Sequence, residues 1–233
     1  MAARRDRADP TAPSRNSVVD DPADGWFPES AATTYDAPGG ANAPEVVLPA
    51  LQLLEALADG GPALELAVGT GRIPAPLACR GLSLSGIELS RAMAARIADK
   101  PGGERVAVTI SDMTTARVAG EFSLVSLAFN TICNVLTQAD EAEVFANAAA
   151  HLRPAGRLLI EVGVPDLRRL PPGQDAVPFA LGIGPGGTSG SAGIESCDVV
   201  HQTFTSTHIT VSPGGASRFR TTPSASAGRA SST

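Results

Sequence analysis

From Pro62 onward, short apolar runs alternate with segments whose apolar residues fall three and four apart, the two periods of strand and helix. The runs at residues 64–67, 82–88, 106–111, 122–129 and 157–162 predict five strands. Residues 72–80 predict a helix after the first strand, with Pro74 and Pro76 tolerable only near its opening turn. Ser90 predicts the cap of another, with Met93, Ala94 and Ile97 on one face and Pro101-Gly102-Gly103 as its stop. Thr137 with Asp140 reads as a capping box, opening a helix that packs Val144, Phe145, Ala148 and Leu152. Upstream, Asn42 with Glu45 has the same pattern, Val47, Leu51 and Leu54 repeat at helical spacing, and Gly60-Gly61 ends the run. Pro49 inside that helix implies a kink or a late start.

Strand-helix repetition at this spacing requires right-handed crossovers and a parallel sheet covered on both faces. The predicted fold class is therefore α/β: a three-layer, Rossmann-like, doubly wound and mostly parallel sheet. In such sheets ligands bind beyond the carboxyl ends of the strands. Those ends carry Gly69 and Gly71 after the first strand, Glu88 after the second, Asp112 after the third and Asn130 after the fourth. Gly69 and Gly71 permit a sharp turn and a close backbone approach to a ligand. Glu88 stands where a carboxylate can accept both hydroxyl protons of a ribose. A dinucleotide fingerprint would need glycine at position 74, where Pro74 stands, and no Gly-Lys-Ser/Thr phosphate cradle occurs.

Composition narrows the function classes. Aromatic residues make up only 4% of the 233, so the core must be aliphatic. The net charge of −6 gives no electrostatic footprint for a nucleic-acid backbone, and Lys100 is the only lysine. Cys79, Cys133 and Cys197 are widely spaced and share no zinc-type spacing with a histidine, so they read as reduced thiols with no metal site. No apolar run reaches the ~20 residues that span a bilayer. The charged start of the chain lacks the apolar segment of a secretory signal. The expectation is a cytoplasmic protein with neither a membrane nor a nucleic-acid partner.

The stretch Leu64-Glu65-Leu66-Ala67-Val68-Gly69-Thr70-Gly71-Arg72, then Gly86-Ile87-Glu88-Leu89-Ser90, Asp112-Met113 and His151-Leu152-Arg153-Pro154-Ala155-Gly156-Arg157, resembles class I S-adenosylmethionine-dependent methyltransferases of the small-molecule type. The resemblance runs through residues 62–165. It implies S-adenosyl-L-methionine as cofactor, and methyl transfer to an oxygen, nitrogen or carbon of a small-molecule acceptor. It further implies that Glu65, Ala67, Gly69 and Gly71 belong to a segment wrapping the methionine part of the cofactor. Glu88 would hold the ribose hydroxyls and Leu89 pack on the adenine, with Asp112 accepting from the adenine amino group and Met113 beside the ring. Phe129 and Asn130 would line the floor, and Tyr35 in Thr34-Tyr35-Asp36 would close over the site. Ala67 replaces the first glycine of the motif, and Pro154-Ala155-Gly156 stands where Pro-Gly-Gly is usual. No catalytic side chain is assigned, because the sulfonium is already an activated methyl donor and the protein chiefly fixes both partners and excludes water.

By region, residues 1–30 are expected to be disordered, 31–166 to form the cofactor-binding core, 167–221 a loop and β-ribbon fit to cover a substrate, and 222–233 a disordered tail. Ser212-Pro213-Gly214-Gly215 would turn the ribbon. The family's sheet closes with two further strands, the last antiparallel, and no sequence after Asp166 supplies them. The chain therefore reads as a truncated or frame-shifted relative whose fifth strand is an exposed edge. A cofactor-binding pseudoenzyme or interaction module is the second reading, and an NAD-dependent dehydrogenase a distant third. Several residues fit two roles. Glu161 could face substrate or make a backbone or arginine contact, and Cys133 could flank the substrate entry or be a small buried thiol. His151 suits a helix C-terminal partner better than a base, and His201 and His208 suit solvent-facing strand positions better than a substrate pocket.

Overall fold

The computed structural model describes residues 27, 29–38, 42–163, 173–198, 200 and 203–221. Its central sheet is built from β1 (Ala63–Leu66), β2 (Leu84–Glu88), β3 (Val106–Ile110), β4 (Phe122–Leu127) and β5 (Leu152–Ile160). These strands are all parallel, in the order β3-β2-β1-β4-β5. The order reverses between β1 and β4, so the loops leaving those two strands part and open a crevice. Every residue of β1 and β4 is buried, as expected of central strands covered on both faces.

On one face, Leu51, Leu54 and Ala58 of α2 (Pro44–Ala58) pack with Leu77 of α3 (Pro74–Cys79), Ile97 and Leu124. On the other, Val144 and Ala148 of α5 (Gln138–His151) cover Leu64, Leu66, Val125 and Leu127. Each fully buried aliphatic side chain of this kind contributes about 1.5–3 kcal/mol. A small third cluster of Ala32, Met93, Phe27 and Tyr35 seats α1 (Glu29–Tyr35) on α4 (Arg91–Ala95). Helix α1 opens inside the segment 1–30 that was expected to lack structure; residues 1–26 and the tail 222–233 lie outside the described residues.

Two helices depart from the sequence pattern. The Asn42 side chain donates to the carbonyls of Tyr35 (2.8 Å) and Ala37 (3.1 Å), so it does not cap α2 and the box with Glu45 does not form. The helix starts instead at Pro44, whose missing N–H costs nothing in a first turn, and it continues through Pro49. The box at α5 does form: the Asp140 N–H donates to Thr137 Oγ1 at 3.1 Å, and the Thr137 hydroxyl to Asp140 Oδ2 at 2.6 Å. Its inner face is nevertheless partly polar, because Glu141, Asn147 and His151 are buried while Phe145 is 44% exposed.

Residues 167–221 hold more structure than a ribbon. Strands β6 (Ala176–Ile183), β7 (Gly190–Asp198), β8 (Thr203–Ser212) and β9 (Gly215–Thr221) form a second, wholly antiparallel sheet in that order. The turn at 212–215 falls between β8 and β9, and β8 and β9 are the ribbon anticipated from sequence. The first two strands carry no apolar alternation because backbone pairing, not burial, defines them; Pro178 is accommodated on the edge strand beside a register shift. Among the described residues β5 is an edge of the parallel sheet. Among them also, no helix is long and apolar enough to cross a membrane, and no group of three or more His, Cys, Asp or Glu could hold a metal ion.

Candidate functional site

The turn after β1 begins at once. Ala67 takes a left-handed conformation (φ 53°) and Gly69 another (φ 59°). The turn brings the Gly69 N–H to Glu88, at the end of the neighbouring strand, where it donates to Oε2 at 2.7 Å. The Ser90 N–H donates to Glu88 Oε1 at 2.8 Å, so the carboxylate is fixed by two backbone groups. Burial pushes the Glu88 carboxyl up, against the N–H groups of Ser90, Gly69 and Leu89, which favour the anion. Ser90 also caps α4, accepting from the Met93 N–H, and its hydroxyl donates to the Phe27 carbonyl at 2.7 Å.

The same turn holds the N-terminal segment in place. Thr70 Oγ1 donates to Asp36 Oδ1 at 2.7 Å, and Lys100 Nζ bridges Asp36 Oδ2 (2.5 Å) and the Thr70 carbonyl (2.7 Å). Arg96 pairs with Glu29 at the start of α1. Tyr35 is thereby brought over the turn, edge-on to Phe27 at 5.7 Å. Burial pushes its phenol up, Arg72 draws it down, and the Asp36, Glu88 and Glu65 carboxylates add to the rise.

The ends of β3 and β4 are set by side chains distant in sequence. Asp112 Oδ1 accepts from both the backbone N–H and the hydroxyl of Thr114, each at 2.8 Å. Asn147 of α5 donates to the carbonyls of Met113 (2.6 Å) and Ala116 (3.0 Å), pinning the loop that carries both residues. After β4, Phe129 and Asn130 both adopt φ 57°, a conformation costing about 1–3 kcal/mol for a non-glycine residue. Glu161 holds them there, accepting from the Phe129 N–H through Oε2 (2.8 Å) and from the Asn130 N–H through its carbonyl (3.1 Å). Of the two roles open to Glu161, the structure shows the backbone contact. The Arg72 guanidinium lies 4.4 Å over the Phe129 ring.

A single cavity of about 1190 Å³ joins these elements. Ala67, Gly69, Glu88 and Leu89 line it from β1 and β2, Asp112 and Met113 from the end of β3, and Phe129 and Asn130 from the end of β4. Tyr35 lines it from α1. Glu65 and Gly71, the other two predicted residues, are not on its wall. Gly71 closes the turn with its N–H on the Val68 carbonyl at 3.1 Å. Glu65 is buried, its Oε2 has no hydrogen-bond partner, and burial pushes its carboxyl up to about 8, with Arg72 opposing and Glu88 and Glu161 adding.

The antiparallel sheet supplies the facing wall through Glu195, Ser206, His208 and Thr210. His208 lines the cavity and is at the same time solvent-exposed, as the sequence expectation had it; His201 lies outside the described residues. Alternation along β8 could have identified the set 206, 208 and 210, but not which way it faced. His151 is structural: Nε2 accepts from the Val118 N–H (2.9 Å), so Nδ1 carries the proton toward the Asn147 carbonyl (2.8 Å), and it is not a cation serving the helix end. Burial, helped by Glu141, pushes the Cys133 thiol up, away from nucleophilic use.

A family model described as "Methyltransferase domain" matches residues 63–156. Among solved structures, the CcbJ methyltransferase of Streptomyces caelestis is 28% identical with a TM-score of 0.73, over 87% of this chain and 80% of that one. The amino pentose methyltransferase CalS10 of Micromonospora echinaspora is 18% identical (TM-score 0.60, 86% of this chain and 83% of that). The sugar N-methyltransferase KedS8 of Streptoalloteichus sp. is 19% identical (TM-score 0.60, 95% and 82%). At those identities the last two establish a common fold. Comparison with curated protein sequences finds no match.

Proposed function

We propose that this chain, as a class I S-adenosylmethionine-dependent methyltransferase, methylates a small polar acceptor held between its parallel and antiparallel sheets. The observation that carries the reading is the shared cavity, with strand ends of the α/β core on one side and β7 and β8 on the other. Its volume exceeds the ~300–1,000 Å³ of a single small-molecule site, leaving room for donor and acceptor together.

The residues present fit S-adenosyl-L-methionine, which supplies an activated methyl group on a sulfonium when bound. Glu88 is held by two backbone N–H groups and keeps lone pairs for the ribose hydroxyls. Leu89 and Met113 offer apolar surface to a purine, and Asp112, anchored through Oδ1, has Oδ2 for its amino group. The left-handed turn at Gly69 brings backbone to the cavity wall without a Cβ between. Tyr35 on α1, tied through Asp36 to Thr70 and Lys100, excludes water from the methionine end. The fold relatives named for amino pentoses and sugars agree with a small polar acceptor here.

Calorimetric titration with S-adenosylhomocysteine tests the donor site. Wild type should bind in the micromolar range and Glu88→Ala about 100-fold more weakly, the scale of losing charge-assisted hydrogen bonds. Equal affinity in the two proteins would remove Glu88 from the site. Binding without methyl transfer to any acceptor would favour the pseudoenzyme.

A further inference from the structure

We infer that Lys100 is a positioning residue for the donor, latching α1 over the pocket and so setting how fast the donor enters and leaves; this rests on the donor site proposed above. Helix α1 has two working faces. Ser30, Ala31, Thr34 and Tyr35 line the cavity, together with Phe27 just before the helix. Glu29, Ala32, Thr33 and Asp36 fall on the opposite stripe and tie the segment to the core. Arg96 pairs with Glu29 and donates to Thr33 Oγ1 at 3.2 Å, and Ala32 packs with Met93. Asp36 accepts from Lys100 Nζ and Thr70 Oγ1.

The attachment of α1 is mainly polar. Ala32 is its only buried residue, and a helix of seven residues is shorter than the ~12–15 that hold on their own. Ionic contacts therefore decide whether it stays in place. The Lys100–Asp36 pair is the better sheltered of the two, its side chains 22% and 34% exposed against 33% and 68% for Arg96 and Glu29. Lys100 is fixed on the core side, its N–H on the carbonyl of buried Ile97 at 3.1 Å. Its Nζ also donates to the carbonyl of Thr70, which stands between Gly69 and Gly71 in the donor turn. Lys100, Asp36 and Thr70 do not line the cavity, so the latch forms whether or not the donor is bound. Loosening it speeds entry and exit by the same factor and leaves their ratio, the affinity, nearly fixed. Damage to the pocket itself would raise the exit rate alone.

Surface plasmon resonance of the full chain with S-adenosylhomocysteine tests this. Lys100→Met should raise both the association and the dissociation rate by about tenfold, with Kd within about threefold of wild type. Lys100→Arg, which keeps the charge, should restore most of both rates. Asp36→Asn keeps an oxygen for the Thr70 hydroxyl but loses the charge, and should behave as Lys100→Met does. Raising NaCl from ~0.1 M to ~1 M shortens the reach of charge from ~10 Å to ~3 Å, and should speed both rates in wild type but not in Lys100→Met. Faster dissociation with unchanged association, rates unaltered by Lys100→Met, or the same salt response in both proteins would each overturn the inference. Should Lys100→Met fail to fold, Asp36→Asn and the wild-type salt response decide by the same criteria. Failure of wild type to bind S-adenosylhomocysteine would instead overturn the donor site.

Discussion

The two sheets of this protein are held by different forces. In the parallel sheet, β1 and β4 have no exposed residue, and Leu64, Leu66, Val125 and Leu127 are sealed beneath α5. In the antiparallel sheet, β7 buries only Gly193 and Cys197, while Leu181 and Ile183 of β6 stand 80% and 84% exposed. The first is stabilised by apolar burial, the second chiefly by its backbone ladder. The difference matches the division of labour proposed above. On that reading, a donor common to many enzymes is served by the well-packed core, and a particular acceptor by a wall whose residues can change without disturbing that core.

The sharpest way to break this comparison is to damage each sheet and read global stability. Leu127→Ala should cost about 2–5 kcal/mol in urea unfolding, and Leu181→Ser no more than about 0.5 kcal/mol. Comparable losses would mean that the sheets share one core after all. A second test exploits the buried carboxyl of the parallel sheet. With its pKa raised to about 8, Glu65 keeps a proton in the folded state that the unfolded chain has released above about 4.5. Stability should therefore fall as pH rises from about 4.5 to 8, and Glu65→Gln should remove that slope. The variant should match wild type near pH 4.5 and exceed it at pH 8.5, by at most about 5 kcal/mol. Parallel pH profiles for the two proteins would exclude the buried carboxyl as the cause. The smallest expected effect sharpens the picture of the turn after β1. Ala67→Gly, at φ 53°, should raise stability by about 0.5–1 kcal/mol in thermal unfolding, and a loss would show that the methyl group packs usefully there.

Much of the parallel sheet was legible because its physics is local. Strands covered on both faces must be apolar, and turns at their ends must use residues such as Gly69 that tolerate left-handed backbone. Ser90 and Thr137 cap their helices as their spacing to the following residues suggested. The misreadings arose where a local pattern lost to a distant partner. Asn42 was drawn away from capping by the carbonyls of Tyr35 and Ala37, and Phe145 was turned outward because Asn147 and His151 found hydrogen bonds inside.

By itself, then, the sequence determined a doubly wound sheet and marked eleven residues, most of them at its strand ends, of which nine line one cavity. Only the tertiary structure decided that Lys100 joins Asp36 to Thr70, that Glu161 holds Phe129 and Asn130, and that β7 and β8 face the crevice. Periodicity encodes which residues are buried along one element. It carries no record of which side chain, tens of residues away, will meet them when the elements pack.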